Sequence, residues 1–350
     1  MKGIIEKTEE GGRISAAEAL RLYESAGLVE LSRLADVVRW RVHPEPVVTY
    51  ICGRNINYTN VCWVRCRFCN FSCPPGSPDG YVLTKEQIFQ KIKELVALGG
   101  TELLMQGGLN PQLKLDYFED LFSSIRERFP TTHLHALSVS EVRYIAHMAR
   151  LSVKETLARL RDAGLASLPG AGGEILVDRV RGEIAPRKDT ADEWLGVMRD
   201  AHEIGMRTTA TMMYGSVETL AERIEHLQRV RDLQDETGGF TAFIPWSYQP
   251  DGTELGGKKT GGYEYLRTVA ISRIFLDNVP SIQASWVTQG AKIGAISLGY
   301  GVNDFGSTML EENVVSSAGT SYDMPISEIE RIIRDAGYEP RRRDTLYSQV

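Results

Sequence analysis

The chain of 350 residues reads as an α/β protein, a (β/α)8 TIM-type barrel with an N-terminal helical cap. Three observations predict this. From Val47 onward, segments rich in β-branched and aromatic residues alternate with amphipathic helical segments, the pattern of a parallel sheet with helical crossovers. About eight such strands fit within roughly 290 residues, the count and length of a closed barrel. The densest group of reactive side chains, NVCWVRCRFCNFSCP at 60–74, starts where the first strand ends, and barrel chemistry gathers at strand C-termini. A doubly wound open sheet shares the alternation and is the alternative architecture.

Ser15-Ala16-Ala17-Glu18 forms a capping box, and Ala19, Leu20, Leu22 and Tyr23 follow at helical spacing. Gly27 ends that helix, and a second covers 28–42 and stops before Pro44. The strands are VVTYICGRNI (47–56), TELLMQ (101–106), HLHALS (133–138), ASLPG (166–170), RTTATMMYG (207–215), FTAFIPW (240–246), SIQASWV (281–287) and YGVNDF (300–305). Capping boxes at Thr84 with Gln87 and Ser152 with Glu155 open two of the intervening helices, which close at Gly99-Gly100 and Gly164. Other helices are predicted at 115–129, 174–181, 190–204, 218–236, 263–277 and 288–298, and a last one at 326–337 with Ser327 as cap. No repeat or linker divides the chain. The expected organisation is a helical extension over 1–45, one barrel over 46–320, and a C-terminal helix and tail over 321–350.

A hydrophobic content of 42% and a charged content of 25% are those of a globular protein. The net charge of −6 gives no general attraction to nucleic acid or an anionic membrane, and Arg341-Arg342-Arg343 reads as a solvated tail. No run approaches the roughly 18 apolar residues of a membrane span, and MKGIIEKTEEGG resembles no signal or transit peptide. A cytoplasmic location is expected, where thiols stay reduced and a local cysteine cluster reads as metal-binding or catalytic.

Cys62, Cys66 and Cys69 have the spacing C-x3-C-x2-C. Three thiolates on a short loop can hold three irons of a [4Fe–4S] cube and leave the fourth iron open to a small chelating molecule. Cys73 adds a fourth thiol, so a tetrahedral zinc site or a closed iron–sulfur site, in a binding or electron-carrying protein, is the competing reading. Zinc modules stand on small domains, however, and this loop opens a large barrel. Cys52, inside the first strand, reads as a buried small hydrophobe.

The cysteine motif with Phe68 just before its last member closely resembles that of the radical S-adenosylmethionine (SAM) superfamily. RNINYTNVC, MQGGLNP, RLSVKETLARLRDAGLASLPGAGGEIL, MMYGSVET, LQDETGGFTAFIPW, QASWVTQG and FGSTMLEENVVSSAG extend the resemblance over most of 50–320, to the branch serving menaquinone biosynthesis through futalosine. The extra cysteine and three prolines of SCPPGSPDG depart from the pattern and leave the shape of the lid open. The resemblance implies a barrel of the radical SAM kind, a [4Fe–4S] cluster on Cys62, Cys66 and Cys69, and SAM chelated at the open iron. It implies cleavage of SAM to a 5′-deoxyadenosyl radical that takes hydrogen from a nucleoside-derived small molecule. In a ring-closing member the hydrogen leaves ribose C4′ and the carbon radical adds to a benzoate ring; the sister synthase and a deazaflavin-forming relative are alternatives. A flavodoxin- or ferredoxin-type electron donor, no nucleic acid partner, no membrane insertion, and a monomer or homodimer are further expectations.

By the same resemblance Phe68 sits beside the cofactor, and Gly107 and Gly108 meet the methionine amino group through backbone carbonyls, although Leu109 replaces the family's acid. Ser138 and Glu141 lie within reach of a ribose hydroxyl pair, unless they merely start a helix. Tyr214 and Glu218 end the fifth strand, where the family approaches adenine, and Glu218 reads equally as a first-turn carboxylate. Strand ends supply Arg54, Asn55, Asn57, Trp246, Gln249 and Trp286 as candidates for substrate binding, the tryptophans as stacking partners or as rim packing. Glu174, in AGGEIL, is a candidate ribose ligand or proton acceptor, with helix-start carboxylate as the alternative, whereas His133, His135 and His202 read as structural.

Overall fold

The computed structural model describes residues 1–311, 313, 314, 316–318 and 324–350. Helices α1 (Lys2–Glu9), α2 (Ala16–Ser25) and α3 (Leu28–Val42) precede strands β1 (Val47–Ile51) and β2 (Gly53–Asn57). Then follow α4 (Lys85–Ala97), β3 (Glu102–Gln106), α5 (Leu115–Arg128), β4 (His133–Ala136), α6 (Val139–Ala149), α7 (Val153–Ala163), β5 (Ser167–Leu168), α8 (Asp178–Ile184) and α9 (Ala191–Glu203). The chain continues through β6 (Arg207–Tyr214), α10 (Leu220–Thr237), β7 (Phe240–Ser247), α11 (Gly262–Phe275) and β8 (Ser281–Ile282). It ends with α12 (Trp286–Gln289), α13 (Ala291–Ser297), β9 (Asp304–Ser307), α14 (Ile326–Asp335) and β10 (Glu339–Arg342).

Strands β2 to β8 pair in chain order as a seven-stranded parallel sheet, and β10-β1-β9 form a second, three-stranded parallel sheet. Strand β9 joins the two and closes the curl. On one side the Ala284 amide donates to the Asp304 carbonyl at 2.8 Å; on the other, the Thr308 and Leu310 amides donate to the carbonyls of Ile51 and Gly53 at 3.1 and 3.2 Å. This is the barrel reading rather than the open sheet. Helices α2 and α3 pack on α10 and α11 as the N-terminal cap. Among the described residues, no helix is long and apolar enough to cross a membrane.

The capping boxes at Ser15, Thr84 and Ser152 form as expected, because each needs only a side chain and a backbone amide three residues away. Several boundaries differ. The strand expected over 47–56 is two, divided at Cys52, and the halves serve different sheets. A Cβ on Gly53 would lie 2.6 Å from Ser307 Oγ and 2.9 Å from Glu102 Oε1, so any side chain at the crossing would have to displace both. Strands β5 and β8 are shorter than expected, and the helix foreseen at 174–181 starts at Asp178. Trp286 begins a helix instead of ending a strand. The cap of α14 is Pro325, with no side-chain cap, so Ser327 lies inside the helix. The boundary expected at 320/321 falls outside the described residues.

Helix α1 and strand β10 were not foreseen. β10 has no apolar alternation; it exists because it pairs with β1, Val47 to Glu339 through Tyr50 to Arg342. Arg343 correspondingly is no solvated tail. It is 2% exposed and grips the buried Asp304, Nε to Oδ2 at 2.5 Å and Nη2 to Oδ1 at 3.0 Å.

Candidate active site

The barrel encloses a cavity of about 400 Å³, within the usual size of small-molecule sites. The cysteine loop lines one end. Arg343, Thr345 and Tyr347 of the C-terminal tail line the cavity too, and Tyr347 Oη donates to Gln283 Oε1 at 2.9 Å.

Cys62, Cys66 and Cys69 all face this cavity; Cys73 is not part of its lining. Cys73 instead pairs with Val61 as a parallel bridge, its amide donating to the Asn60 carbonyl at 2.9 Å and its carbonyl accepting from the Cys62 amide at 2.8 Å. Its Sγ lies 3.5 Å from where a Cβ on Gly80 would stand. The loop is tied down further along, by Arg67 N–H to the Ile184 carbonyl at 2.9 Å and Leu255 N–H to the Arg67 carbonyl at 2.8 Å. Among the described residues, no three His, Cys, Asp or Glu side chains converge on one ion-sized point. Cys52 is 1% exposed, as a small hydrophobe should be.

Gly107 and Gly108 leave β3 against this loop. A methyl on Gly107 would lie 2.7 Å from Tyr58 Cζ, and one on Gly108 would overlap the Val61 carbonyl oxygen and stand 2.9 Å from Cys62 Cβ. Close approach, rather than an unusual φ, is why both are glycine. The Gly107 amide donates to Glu141 Oε1 at 3.0 Å, and that oxygen also takes the Tyr58 hydroxyl at 2.5 Å. Glu141 Oε2 accepts from the Ser138 amide and hydroxyl, both at 2.6 Å. Ser138 and Glu141 line the cavity, but they form the capping box of α6 and anchor the glycine turn, so the helix-start reading describes what they bond. Burial raises the Glu141 carboxyl above its ordinary range while these hydrogen bonds pull it down.

Glu174 faces the cavity with its backbone in the left-handed region at φ 31°, a conformation that costs a non-glycine residue free energy. Its carboxylate is committed: Lys188 Nζ lies 2.6 Å from Oε1 and Arg181 3.5 Å from Oε2. Burial works against the Lys188 ammonium, but the charge and hydrogen bond of Glu174 together with Cys66 outweigh it and raise the group above its ordinary range. Nζ of Lys188 stands 5.6 Å over the Phe68 ring. Burial pushes the Cys66 thiol up to about 12, with Lys188 pulling the other way.

Asn55, Asn57, Phe68, Trp246 and Trp286 also face the lumen. Arg54 does not. It projects from the other side of β2 into ion pairs with Glu94 at 2.6 Å and Glu311 at 3.0 Å, as the two-residue strand period requires. Tyr214 and Glu218 are corrected for related reasons. Thr209 and Thr211 of β6 face the cavity, so Tyr214 points the other way and lies buried 4.8 Å from Arg223. Glu218 accepts from the amides of Gly215 at 2.5 Å and Ser216 at 2.9 Å and from Arg223 Nε at 2.8 Å, closing the turn after β6. Gln249 donates to the Ser247 carbonyl at 3.0 Å and lines a small side pocket beside Phe68, Cys69 and Trp246.

Gln106, His135 and Lys188 line the cavity without having been singled out as binding residues. Gln106 follows from the pairing of β2 and β3, where it stands beside Asn57; no local signal marks Lys188. His135 is structural as expected: Nδ1 meets Ser167 Oγ at 2.6 Å, and burial lowers its pKa to about 3, leaving the ring neutral.

Residues 56–230 match the family model described as the Radical SAM superfamily, and residues 237–350 that of the CofH/MqnC C-terminal region. The chain belongs to the radical SAM superfamily. It is 49% identical over 349 residues to cyclic dehypoxanthine futalosine synthase of Halalkalibacterium halodurans, covering 99% of this chain and 94% of that one. To aminodeoxyfutalosine synthase of Thermus thermophilus it is 40% identical, covering 99% and 95%. Among solved structures, methylornithine synthase superposes with a TM-score of 0.76 at 19% identity over 97% of each chain, a shared fold. Radical SAM membership implies a [4Fe–4S] cluster and SAM. The donor set fits them: three thiols on one cavity wall, a fourth turned away, and a side-chain-free glycine turn packed against the first of the three.

Proposed function

We propose that this radical SAM enzyme cyclises dehypoxanthine futalosine to cyclic dehypoxanthine futalosine, a step of menaquinone biosynthesis by the futalosine route. The observation that carries the reading is 49% identity, spanning 99% of the chain, to the enzyme named for that product, against 40% to the sister synthase.

In this reading Cys62, Cys66 and Cys69 would hold the cluster, and SAM would bind beside it in the cavity. When bound, the two together would supply a 5′-deoxyadenosyl radical able to take the ribose C4′ hydrogen, and closure of that carbon onto the benzoate ring would be completed by loss of one electron and one proton. The chain's own task is positional. Gly107 and Gly108 admit the cofactor's methionine end beside Cys62, and Phe68 packs next to it. Trp246 and Trp286 flank the benzoate, and Asn55 and Asn57 meet the ribose. Val64, Leu104 and Ile244 line the cavity and keep water from the reacting carbons. Glu174, held by Lys188 and Arg181, orders the loop under the cluster rather than acting as a free base. A flavodoxin- or ferredoxin-type protein delivers the electron in the cytoplasm, to a single barrel whose N-terminal helices and C-terminal tail are parts of one unit.

The test is an anaerobic assay of the reconstituted enzyme with dehypoxanthine futalosine, SAM and dithionite. One 5′-deoxyadenosine should form for each molecule of a product two hydrogens poorer than the substrate. An intact four-iron protein that cleaves SAM but forms no such product refutes the reading. Coupling of an enolpyruvyl benzoate to the adenosyl group of SAM would assign it to the synthase instead.

A further inference from the structure

The cavity wall built by β2 and β3 carries side-chain amide atoms without partners among the described residues. Asn55 and Asn57 are 4% and 2% exposed and face the lumen. Among the described residues, the Oδ1 atoms of both, and Nε2 of Gln106, are buried with no hydrogen-bond partner. Native proteins seldom leave buried polar atoms in that state unless a ligand or water takes them.

The chemistry of the missing partner can be read. Asn57 and Gln106 stand side by side in the parallel register of β2 and β3. Asn57 Nδ2 donates to the Gln106 backbone carbonyl at 3.3 Å, which fixes the orientation of the amide. The free atom is therefore the carbonyl oxygen, and it accepts only from a ligand that carries a proton to give. An ionised carboxylate has none. Gln106 Nε2, beside it, needs an acceptor. One acceptor and one donor on adjacent strands suit two neighbouring hydroxyl groups, one donating and one accepting.

We infer that Asn57 and Gln106 clamp the vicinal diol of a pentose, with Asn55 two residues back along β2 meeting a further hydroxyl. The inference rests on the cyclase reading, which supplies a pentose-bearing substrate, and adds how that substrate lies. Its sugar faces β2 and β3, and its aromatic acid faces Trp246 and Trp286, across the curled sheet. Two pentoses enter such a site, that of the substrate and that of SAM, and the clamp is assigned to the substrate.

Reconstituted holoenzyme without reductant would be titrated anaerobically with dehypoxanthine futalosine, with its 2′,3′-dideoxy analogue, and separately with SAM. The wild type should bind the diol at least about tenfold more tightly than the analogue. Gln106→Leu and Asn57→Ala should each remove most of that ratio, leaving the analogue's affinity and the SAM affinity unchanged. Iron content and melting temperature report whether each variant is folded, and Gln106→Glu, which keeps the size and replaces donor with acceptor, gives a second readout at that position. An unchanged ratio in the folded variants overturns the clamp. A loss confined to SAM overturns its assignment to the substrate. If the wild type binds neither the substrate nor its analogue, the cyclase reading fails, and the assignment of the clamp to that substrate falls with it; an unchanged ratio in variants of a wild type that does bind overturns the clamp alone.

Discussion

Replacing Gly108 with alanine probes the tightest approach in the site. The added methyl overlaps the Val61 carbonyl oxygen and lies 2.7 Å from Val61 C and 2.9 Å from Cys62 Cβ. Two of these atoms are backbone, so no rotamer change relieves the contact; either the end of β3 or the Val61–Cys73 bridge has to move. Gly108 is not among the residues with positive φ, so alanine is allowed by its backbone conformation and the overlap acts alone. Overpacking of this kind costs about 1–3 kcal/mol, which lowers the melting temperature without unfolding the protein. Catalysis and cluster assembly tolerate far less, since a site displaced by about 1 Å no longer holds its geometry. Anaerobic reconstitution of Gly108→Ala should therefore retain less than about half of the wild-type iron, with a matching loss of 5′-deoxyadenosine. Gly196→Ala is the control: it lies inside α9 with nothing within 4 Å of the new methyl, so it should gain about 0.5–1 kcal/mol and leave the iron unchanged. Full iron content in Gly108→Ala would refute the argument from close approach.

Three other outcomes are expected. Cys62→Ser should abolish the cluster, whereas Cys73→Ser should keep its iron and visible spectrum, because Cys73 faces Gly80 and not the cavity; the reverse pattern would reassign the ligands. Lys188→Met leaves the buried Glu174 with Arg181 at 3.5 Å and should cost roughly 2–3 kcal/mol in urea denaturation, of which the double variant with Glu174→Gln recovers more than half; a double variant no better than the single would show that the pair is not what Lys188 contributes. Burial lowers His135 and His226 to about 3 and His202 to about 4, against about 6.5 in the unfolded chain. The unfolded state therefore gains protons first as pH falls, so this stability is intact well above pH 6.5 and declines toward the folded values, by about 1.4 kcal/mol per histidine at about pH 5.5. His226→Gln should flatten the decline by one share, and a melting temperature level between pH 7 and pH 5 would contradict it.

The parts of this protein that could be read in advance are those with short-range causes. A capping box needs a side chain and an amide three residues apart, and those foreseen at Ser15, Thr84 and Ser152 form, whereas the one foreseen at Ser327 with Glu330 does not, because the cap position already falls at Pro325. The cysteine spacing likewise lies within one loop, and its three thiols reach one cavity. Misplaced residues share a different cause. Arg54 and Asn55 are neighbours in the chain, yet one is tied to Glu94 and Glu311 outside while the other lines the lumen. Tyr214 lies at the right strand end and faces the wrong way. Ser138 and Glu141 reach the cavity, but local bonds to the turn and to Tyr58 occupy the carboxylate.

Residue order alone determined the alternation of strand and helix, the cysteine spacing and the start of most helices, since propensity, periodicity and capping act within a few residues. Only the tertiary structure decided that β1 and β2 part at Cys52, that the charged segment 339–342 is a strand, and that Cys73 turns from the site. It also decided that Asn57 and Gln106 stand side by side on β2 and β3, facing the lumen. Those outcomes depend on register and closure between strands far apart in the chain, and one residue of register reverses which side chains face the lumen.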